Sequence, residues 1–269
     1  MCLIVFNFTP GQPRHLLLAA NRDEFHDRPA RPLAWWSWPS GLLAGRDEVA
    51  GGTWLAVTRD GRWSAVTNYR DPRARTGSRS RGELPLDYLQ ARTLPGDYVS
   101  AVYQRREDFG PFNLLAGDHE QLWYCSSATP ATAVAAGVHA LSNGALDEPW
   151  PKSRLLSKGM RELIGQPDQP DQPEQERLFA LMDDRRPAPD NELPDTGVGL
   201  DRERALSPPF IVSPAYGTRC TTIVSLGRES RVSERRFNPN GEVCGDLRYR
   251  FGLSRSDDRF PGGPTSAAN

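Results

Sequence analysis

Residues 53–58 and 63–68 are short apolar runs separated by only Arg59-Asp60-Gly61-Arg62. An Asp-Gly pair between two such runs is a strong hairpin signal, because a two-residue turn needs positions that accept positive φ. Leu55 and Val57, then Ser64 and Val66, alternate as half-buried strands do. The pattern recurs. Residues 3–8 and 15–20 flank Thr9-Pro10-Gly11, and residues 112–116 and 121–126 flank Gly117-Asp118. Residues 138–142 read as a further strand ending at Asn143-Gly144, and 220–226 with 231–237 as a final pair. Helices are expected at 84–91, 97–106, 153–164 and 174–183. The proline-punctuated spacer GQPDQPDQPEQE reads as a surface loop, and 187–207 as surface covering. Hairpins in series with helices inserted in runs predict antiparallel sheets covered by helices, an α+β layered architecture. Residues 1–253 are expected to form a single domain and 254–269 a flexible tail.

Composition excludes several classes of function. A net charge of -1 on 269 residues offers no long-range attraction to nucleic acid or anionic membrane. No apolar run approaches the ~20 residues that span a bilayer. The N-terminal stretch lacks a basic region and breaks at Asn7, unlike a secretory signal. Cys2, Cys125, Cys220 and Cys244 have no paired spacing, which argues for thiols in a reducing compartment, with cytoplasm the expectation. His15, His26, His119 and His139 show no metal-ligand spacing, so no metal and no cofactor is expected. Of the 33 basic residues, only Lys152 and Lys158 are lysines.

The polar groups at the ends of the apolar runs are the candidates for chemistry. Cys2 opens the first run, Asn21-Arg22-Asp23-Glu24 follows the second, and Asn68 and Asn143 end two others. Arg219 precedes CTTIVSL. Strands lying side by side would bring these groups to one rim; turn formation is the alternative reason for each asparagine. The loop YRDPRARTGSRSRGE carries Arg70, Arg73, Arg75, Arg79 and Arg81, read either as solvated or as a lid for an anionic group. Arg22, Arg73, Arg75 and Trp54 are the expected substrate contacts. Trp35, Trp36 and Trp38 would either line an apolar pocket or pack loops.

Five separated motifs, MCLIVFNF, AANRDEFHDRP, GGTWLAVTRDGRWSAVTNYRDP, HALSNGALDEPWPKS and YGTRCTTIVSL, occur in order over residues 1–226. On these the chain resembles the NRDE family of transport and Golgi organization protein 2-like sequences. That family is similar in turn to N-terminal nucleophile hydrolases with an N-terminal cysteine. The resemblance implies a four-layer αββα fold with two antiparallel sheets between helices. It also implies that Cys2 is the nucleophile once Met1 is removed, and that Asp23 is the catalytic aspartate. A motif of those hydrolases, Arg-Asn-x-Asp, reads Ala20-Asn21-Arg22-Asp23 here, so its arginine is replaced by Ala20. Asn68 and Asn143 resemble oxyanion-side residues, and Arg219 a later active-site arginine.

An N-terminal cysteine carries nucleophile and base together: its α-amine, with a reference pKa of about 7.7–8.0, can take the thiol proton. The implied reaction is hydrolysis of a linear amide in a small molecule. The competing reading is a non-catalytic carrier on the same fold, with haem or a lipid or acyl-CoA-related compound as ligand.

Overall fold

The computed structural model describes residues 2–37, 39, 41–73, 76–166 and 173–253, Cys2 through its backbone. Met1, Trp38, Arg75, residues 167–172 of the proline spacer and the expected tail 254–269 lie outside the described residues. The strands in chain order are β1 (Cys2–Phe8), β2 (Arg14–Phe25), β3 (Ala30–Trp35), β4 (Leu42–Asp47), β5 (Leu55–Thr58), β6 (Trp63–Asn68) and β7 (Phe112–Gly117). They continue with β8 (Leu122–Ser126), β9 (Thr132–Ala133), β10 (Gly137–Leu141), β11 (Tyr216–Gly227), β12 (Glu229–Phe237) and β13 (Val243–Gly252). The α-helices are α1 (Glu83–Gln90), α2 (Pro95–Gln104), α3 (Pro151–Ile164), α4 (Glu174–Met182) and α5 (Leu200–Ala205).

The strands form a six-stranded sheet in the order β10-β1-β2-β11-β12-β13 and a seven-stranded sheet running β3 to β9 in sequence order. The pairs are antiparallel throughout. Three buried clusters define the layers. Between the sheets, Ile4, Phe6, Phe8, Leu16 and Leu18 meet Leu43, Val57, Trp63, Ala65 and Leu115. On the outer face of the seven-stranded sheet, Val66, Leu114 and Ala116 meet Leu84 and Tyr88 of α1 and Val99 and Val102 of α2. On the outer face of the other sheet, Leu3, Val5, Leu17 and Ala19 meet Leu156 and Met160 of α3 and Leu178 and Met182 of α4. The result is an αββα sandwich. It explains why the first strand reads as an unbroken apolar run: successive side chains point to opposite faces, and here both faces are covered.

Three differences from the sequence reading bear on the site. First, β2 does not end at residue 20 but runs through Asn21-Arg22-Asp23-Glu24 to Phe25. Paired on both edges by β1 and β11, it keeps its ladder while its polar side chains find partners. Second, β3, β4 and β13 were not expected: β3 and β4 carry no clean alternation, whereas β13 does, with Leu247, Tyr249 and Phe251 inward and Arg248 and Arg250 outward. Trp35 of β3 packs against the inter-sheet core, and the Trp36 indole N–H donates to Ala44 O at 3.0 Å, so these two serve packing. Third, the segment after α4 contains α5 and a buried glutamate, Glu203. The Arg59–Arg62 turn is as expected, with Gly61 at φ +83°. Gly52 lies so close to Gly82 that an added Cβ would fall 2.5 Å from its carbonyl. This contact, with Thr53 N donating to Gly82 O at 3.1 Å, holds the start of α1 beside Trp54.

Candidate functional site

The polar stretch of β2 divides by strand parity. Cys2 pairs with Arg22 across β1 and β2, and Arg22 pairs with Cys220 across β2 and β11. Arg22 falls on the same face as Ala20 and Leu18, toward the other sheet. Its guanidinium lies 4.4 Å from the centroid of Trp54 and 3.9 Å from the carboxylates of both Glu24 and Asp47. Asn21 and Asp23 fall on the opposite, helix-covered face. The Asn21 amide donates to Met182 O and Pro209 O, both at 2.9 Å, and its oxygen accepts from Thr221 at 2.6 Å. Asn21 is thereby a clasp between β2 and the segment after α4.

Asp23 is 2% exposed and accepts a 2.7 Å hydrogen bond from the Thr218 hydroxyl. That hydroxyl accepts in turn from Ile211 N at 2.9 Å, which commits its proton to Asp23. The pairing depends on a bulge in β11: the register slips between Thr218 and Cys220, turning Thr218 to the face of Asp23. Burial pushes the Asp23 carboxyl up from its usual range. The amino-terminal charge of the chain, Lys152, the Thr218 bond and Arg22 oppose that shift. Lys152 was not singled out from the sequence as a site residue. It is 4% exposed, donates to Leu206 O at 2.9 Å, and is brought down by burial to about 8, with Asp23 pulling the other way. Its signal was compositional, as one of two lysines in a chain that otherwise uses arginine.

Asn68 and Asn143 are joined. The Asn143 amide donates to Asn68 O at 2.9 Å, and Asn143 O accepts from Arg70 N at 2.6 Å. The loop that carries Asn143 is fixed by Thr67 donating to Ser142 O at 2.7 Å and Asn113 donating to Gly144 O at 3.0 Å. Asn143 Oδ1 is buried with no hydrogen-bond partner among the described residues. One N–H of the expected oxyanion donor is therefore engaged, which leaves its second N–H and its oxygen.

Other expected contacts separate from this group. Arg219 sits in the bulge and donates to Phe25 O at 2.7 Å and Arg28 O at 3.2 Å, which fixes the turn after β2. The Arg73 side chain is 94% exposed, beside Asp71, and faces a neighbouring cleft with Tyr69 and Arg106 rather than the one that reaches Asp23. Arg75 lies outside the described residues. From the same loop it is Arg79 and Arg81 that reach the cleft containing Arg22, Asp23, Trp54 and Asn68. Arg79 is held there by Glu83 and Asp87.

This polar cleft measures about 500 Å3. It adjoins an apolar cleft of about 800 Å3 lined by Leu206, Pro208, Phe210, Ile211 and Val212, with Arg185 and Arg202 at its margin. Glu24, Phe25 and Asn68 line both clefts. The arrangement can hold an elongated molecule with one polar and one apolar end across the rim where β1 begins. No group of three or more His, Cys, Asp or Glu suited to a metal ion occurs among the described residues. No helix there is long and apolar enough to cross a membrane.

Among solved structures, an N-acylethanolamine-hydrolyzing acid amidase ortholog of Caenorhabditis elegans is similar with a TM-score of 0.46 and 7% identity, over 82% of this chain and 92% of that one. Among sequences, the Transport and Golgi organization protein 2 homolog of Bos taurus is 29% identical over 254 residues, covering 87% of this chain and 91% of the relative. The Transport and Golgi organization 2 homolog of Mus musculus matches with the same identity and coverage. The family model for Transport and Golgi organisation 2 matches residues 1–239, and the chain belongs to that family.

Proposed function

We propose that the chain is a cysteine-dependent N-terminal nucleophile hydrolase acting on a linear amide of a small molecule. The observation that carries this reading is the buried Asp23 carboxyl, next in sequence to the strand partner of Cys2 and lining one cleft with Arg22, Trp54 and Asn68. With Met1 removed, the Cys2 α-amine takes the thiol proton and the thiolate attacks the amide carbonyl. Asp23 orients the amine. Asn68, common to both clefts, stabilises the tetrahedral oxyanion, a contribution of about 3–4 kcal/mol per donor in measured cases. The C–N bond then breaks, the ammonium returns its proton to the leaving nitrogen, and water releases the acyl group from sulfur. Asn143 supports Asn68 from behind, its amide donating to the Asn68 carbonyl, and itself lines neither cleft among the described residues. Arg22 over Trp54 and the arginines of the polar cleft suit an anionic or strongly polar end of that molecule. The thiol must stay reduced, which suits the cytoplasm.

The carrier reading has one observation in its favour, the size of the apolar cleft, which would hold an acyl chain without chemistry. Haem fits less well, because no histidine, cysteine or methionine lines that cleft among the described residues. The name shared by the relatives speaks of transport and Golgi organisation, which agrees with either reading.

Intact mass of protein from its native host, followed by reaction with a thiol-directed acylating probe, separates the two. The hydrolase reading expects a chain beginning at Cys2, labelled there, with labelling lost in Cys2→Ala. Quantitative retention of Met1 would leave Cys2 without its base and favour the carrier.

A further inference from the structure

Arg22 is 5% exposed, yet no hydrogen bond among the described residues reaches its guanidinium. That group brings five N–H donors into the fold. Trp54 covers one of its faces at 4.4 Å and leaves free the edge along which the N–H groups point. The carboxylates of Glu24 and Asp47 stand at 3.9 Å, an ion-pair separation too long for a hydrogen bond. Both carboxylates hold closer donors. Asp47 accepts from Arg28 at 2.8 Å and from Val49 N and Ala50 N at 2.9 and 3.0 Å, and Glu24 accepts from Phe25 N at 3.0 Å. Arg70 and Arg62, which also turn inward, are answered. Arg70 donates to Glu203 at 2.6 Å, and Arg62 to Ala91 O and Tyr88 O at 2.7 and 3.0 Å. A buried charge without hydrogen bonds is costly, and a ligand in the polar cleft that Arg22 lines would remove that cost.

The strands order the parts of such a ligand. Arg22 is the backbone partner of Cys2, and paired residues of antiparallel strands lie about 4.5–5.5 Å apart at Cα. A group held by Arg22 is therefore close to the start of β1. The apolar walls of Leu206, Phe210 and Ile211 belong to the second cleft, joined to the first at Glu24, Phe25 and Asn68. A molecule lying across both carries its charge near the amide and its apolar part further off. We propose that Arg22 is the receptor for a carboxylate, and that the substrates are N-acyl α-amino acids with an aliphatic acyl chain in the apolar cleft. The amide rests on the hydrolase reading; the carboxylate rests on Arg22. Two carboxylate oxygens match the planar guanidinium bidentately, and an α-amino acid sets them one carbon from the amide nitrogen. Water added across the C–N bond gives a fatty acid and a free amino acid.

Binding to Cys2→Ala separates recognition from turnover. N-dodecanoylglycine and N-dodecanoylglycinamide differ only in carboxylate against neutral amide. Calorimetry at about pH 7 should show the acid bound about tenfold or more tighter. Adding Arg22→Gln should erase that ratio, and Arg22→Lys should restore only part of it, because an ammonium is not a planar fork. N-acetylglycine should bind at least about tenfold more weakly than N-dodecanoylglycine. Equal affinities for acid and amide, or a ratio unchanged by Arg22→Gln, overturns the carboxylate receptor. Tighter binding of the reversed amide, the monododecylamide of succinic acid, overturns the assignment of the two ends. If Arg22→Gln fails to fold, the ratio of acid to amide in Cys2→Ala decides. Wild-type protein should release glycine from N-dodecanoylglycine. Selective binding without release would overturn the hydrolase reading alone and leave Arg22 as the carboxylate site of a carrier.

Discussion

The two helical layers cover equivalent faces of the two sheets with opposite chemistry. The layer of α1 and α2 is closed by Leu84, Tyr88, Val99 and Val102. Its buried hydroxyls, Tyr88 and Tyr98, donate to the backbone at Gly117 O and Leu84 O. Even its cysteine is inert, since burial pushes the Cys125 thiol up to about 12. The layer of α3, α4 and α5 shares an apolar centre of Leu156, Met160 and Leu178. At its end toward the start of β1, however, it buries Asn21, Asp23, Lys152 and Glu203. Apolar contacts stabilise without specifying chemistry, whereas buried charges cost stability unless each is answered. A protein that keeps them gains a fixed electrostatic site in return.

The largest test of this contrast is Glu203→Gln. Removing one charge of the buried Arg70 pair should cost about 3–5 kcal/mol, read by urea denaturation. In the other layer, Leu84→Ala should cost about 2–5 kcal/mol by cavity formation and leave Cys2 alkylation in the folded protein unchanged. A loss of Cys2 reactivity in Leu84→Ala would erase the distinction between the layers. Asn21→Ala leaves the Thr221 hydroxyl and two carbonyls unsatisfied and should cost about 1–3 kcal/mol.

The pH dependence sharpens the comparison further. Lys152 titrates near 8 in the fold against 10.5 for the reference side chain. The unfolded chain therefore binds the extra proton between those values, and stability rises with pH through that window. Lys152→Met should lack this rise when unfolding midpoints of the two proteins are subtracted across the range. The smallest expected effect is Arg73→Ala, within about 0.5 kcal/mol and without change in Cys2 reactivity, because its side chain is almost wholly exposed.

Hairpins were legible where an Asp-Gly or Pro-Gly turn joined two apolar runs, as at Gly61. The helix periodicity at 153–164 led to α3 almost to the residue. Strand β13 was missed although Leu247, Tyr249 and Phe251 alternate with Arg248 and Arg250, whereas β3 was illegible for a physical reason. It lies at an edge of its sheet, where one side meets solvent, and its burial does not alternate. Within the site, Asp23 was singled out because a carboxylate after an apolar run is conspicuous. Arg73 was overvalued, since the arginines of its loop look alike in sequence although Arg79 and Arg81 are the ones that turn inward. Lys152 was passed over because it falls just before the helix expected at 153–164 and its sequence marks nothing but its rarity as a lysine.

By itself, the sequence determined the series of short strands, the turns between them and the two-faced burial of the first strands. Hydrophobic period and turn chemistry are local, and they survive in one dimension. Only the tertiary structure decided which polar groups meet. Arg22 and Asp23 are adjacent in the chain yet face opposite layers, because side chains alternate along a strand. The bulge at Arg219 turned Thr218 toward Asp23, and the fold brought Lys152 and Glu203 from separate helices to the same buried end. The fold also joined Asn143 to Asn68, whose carbonyl takes one of the two Asn143 amide N–H groups.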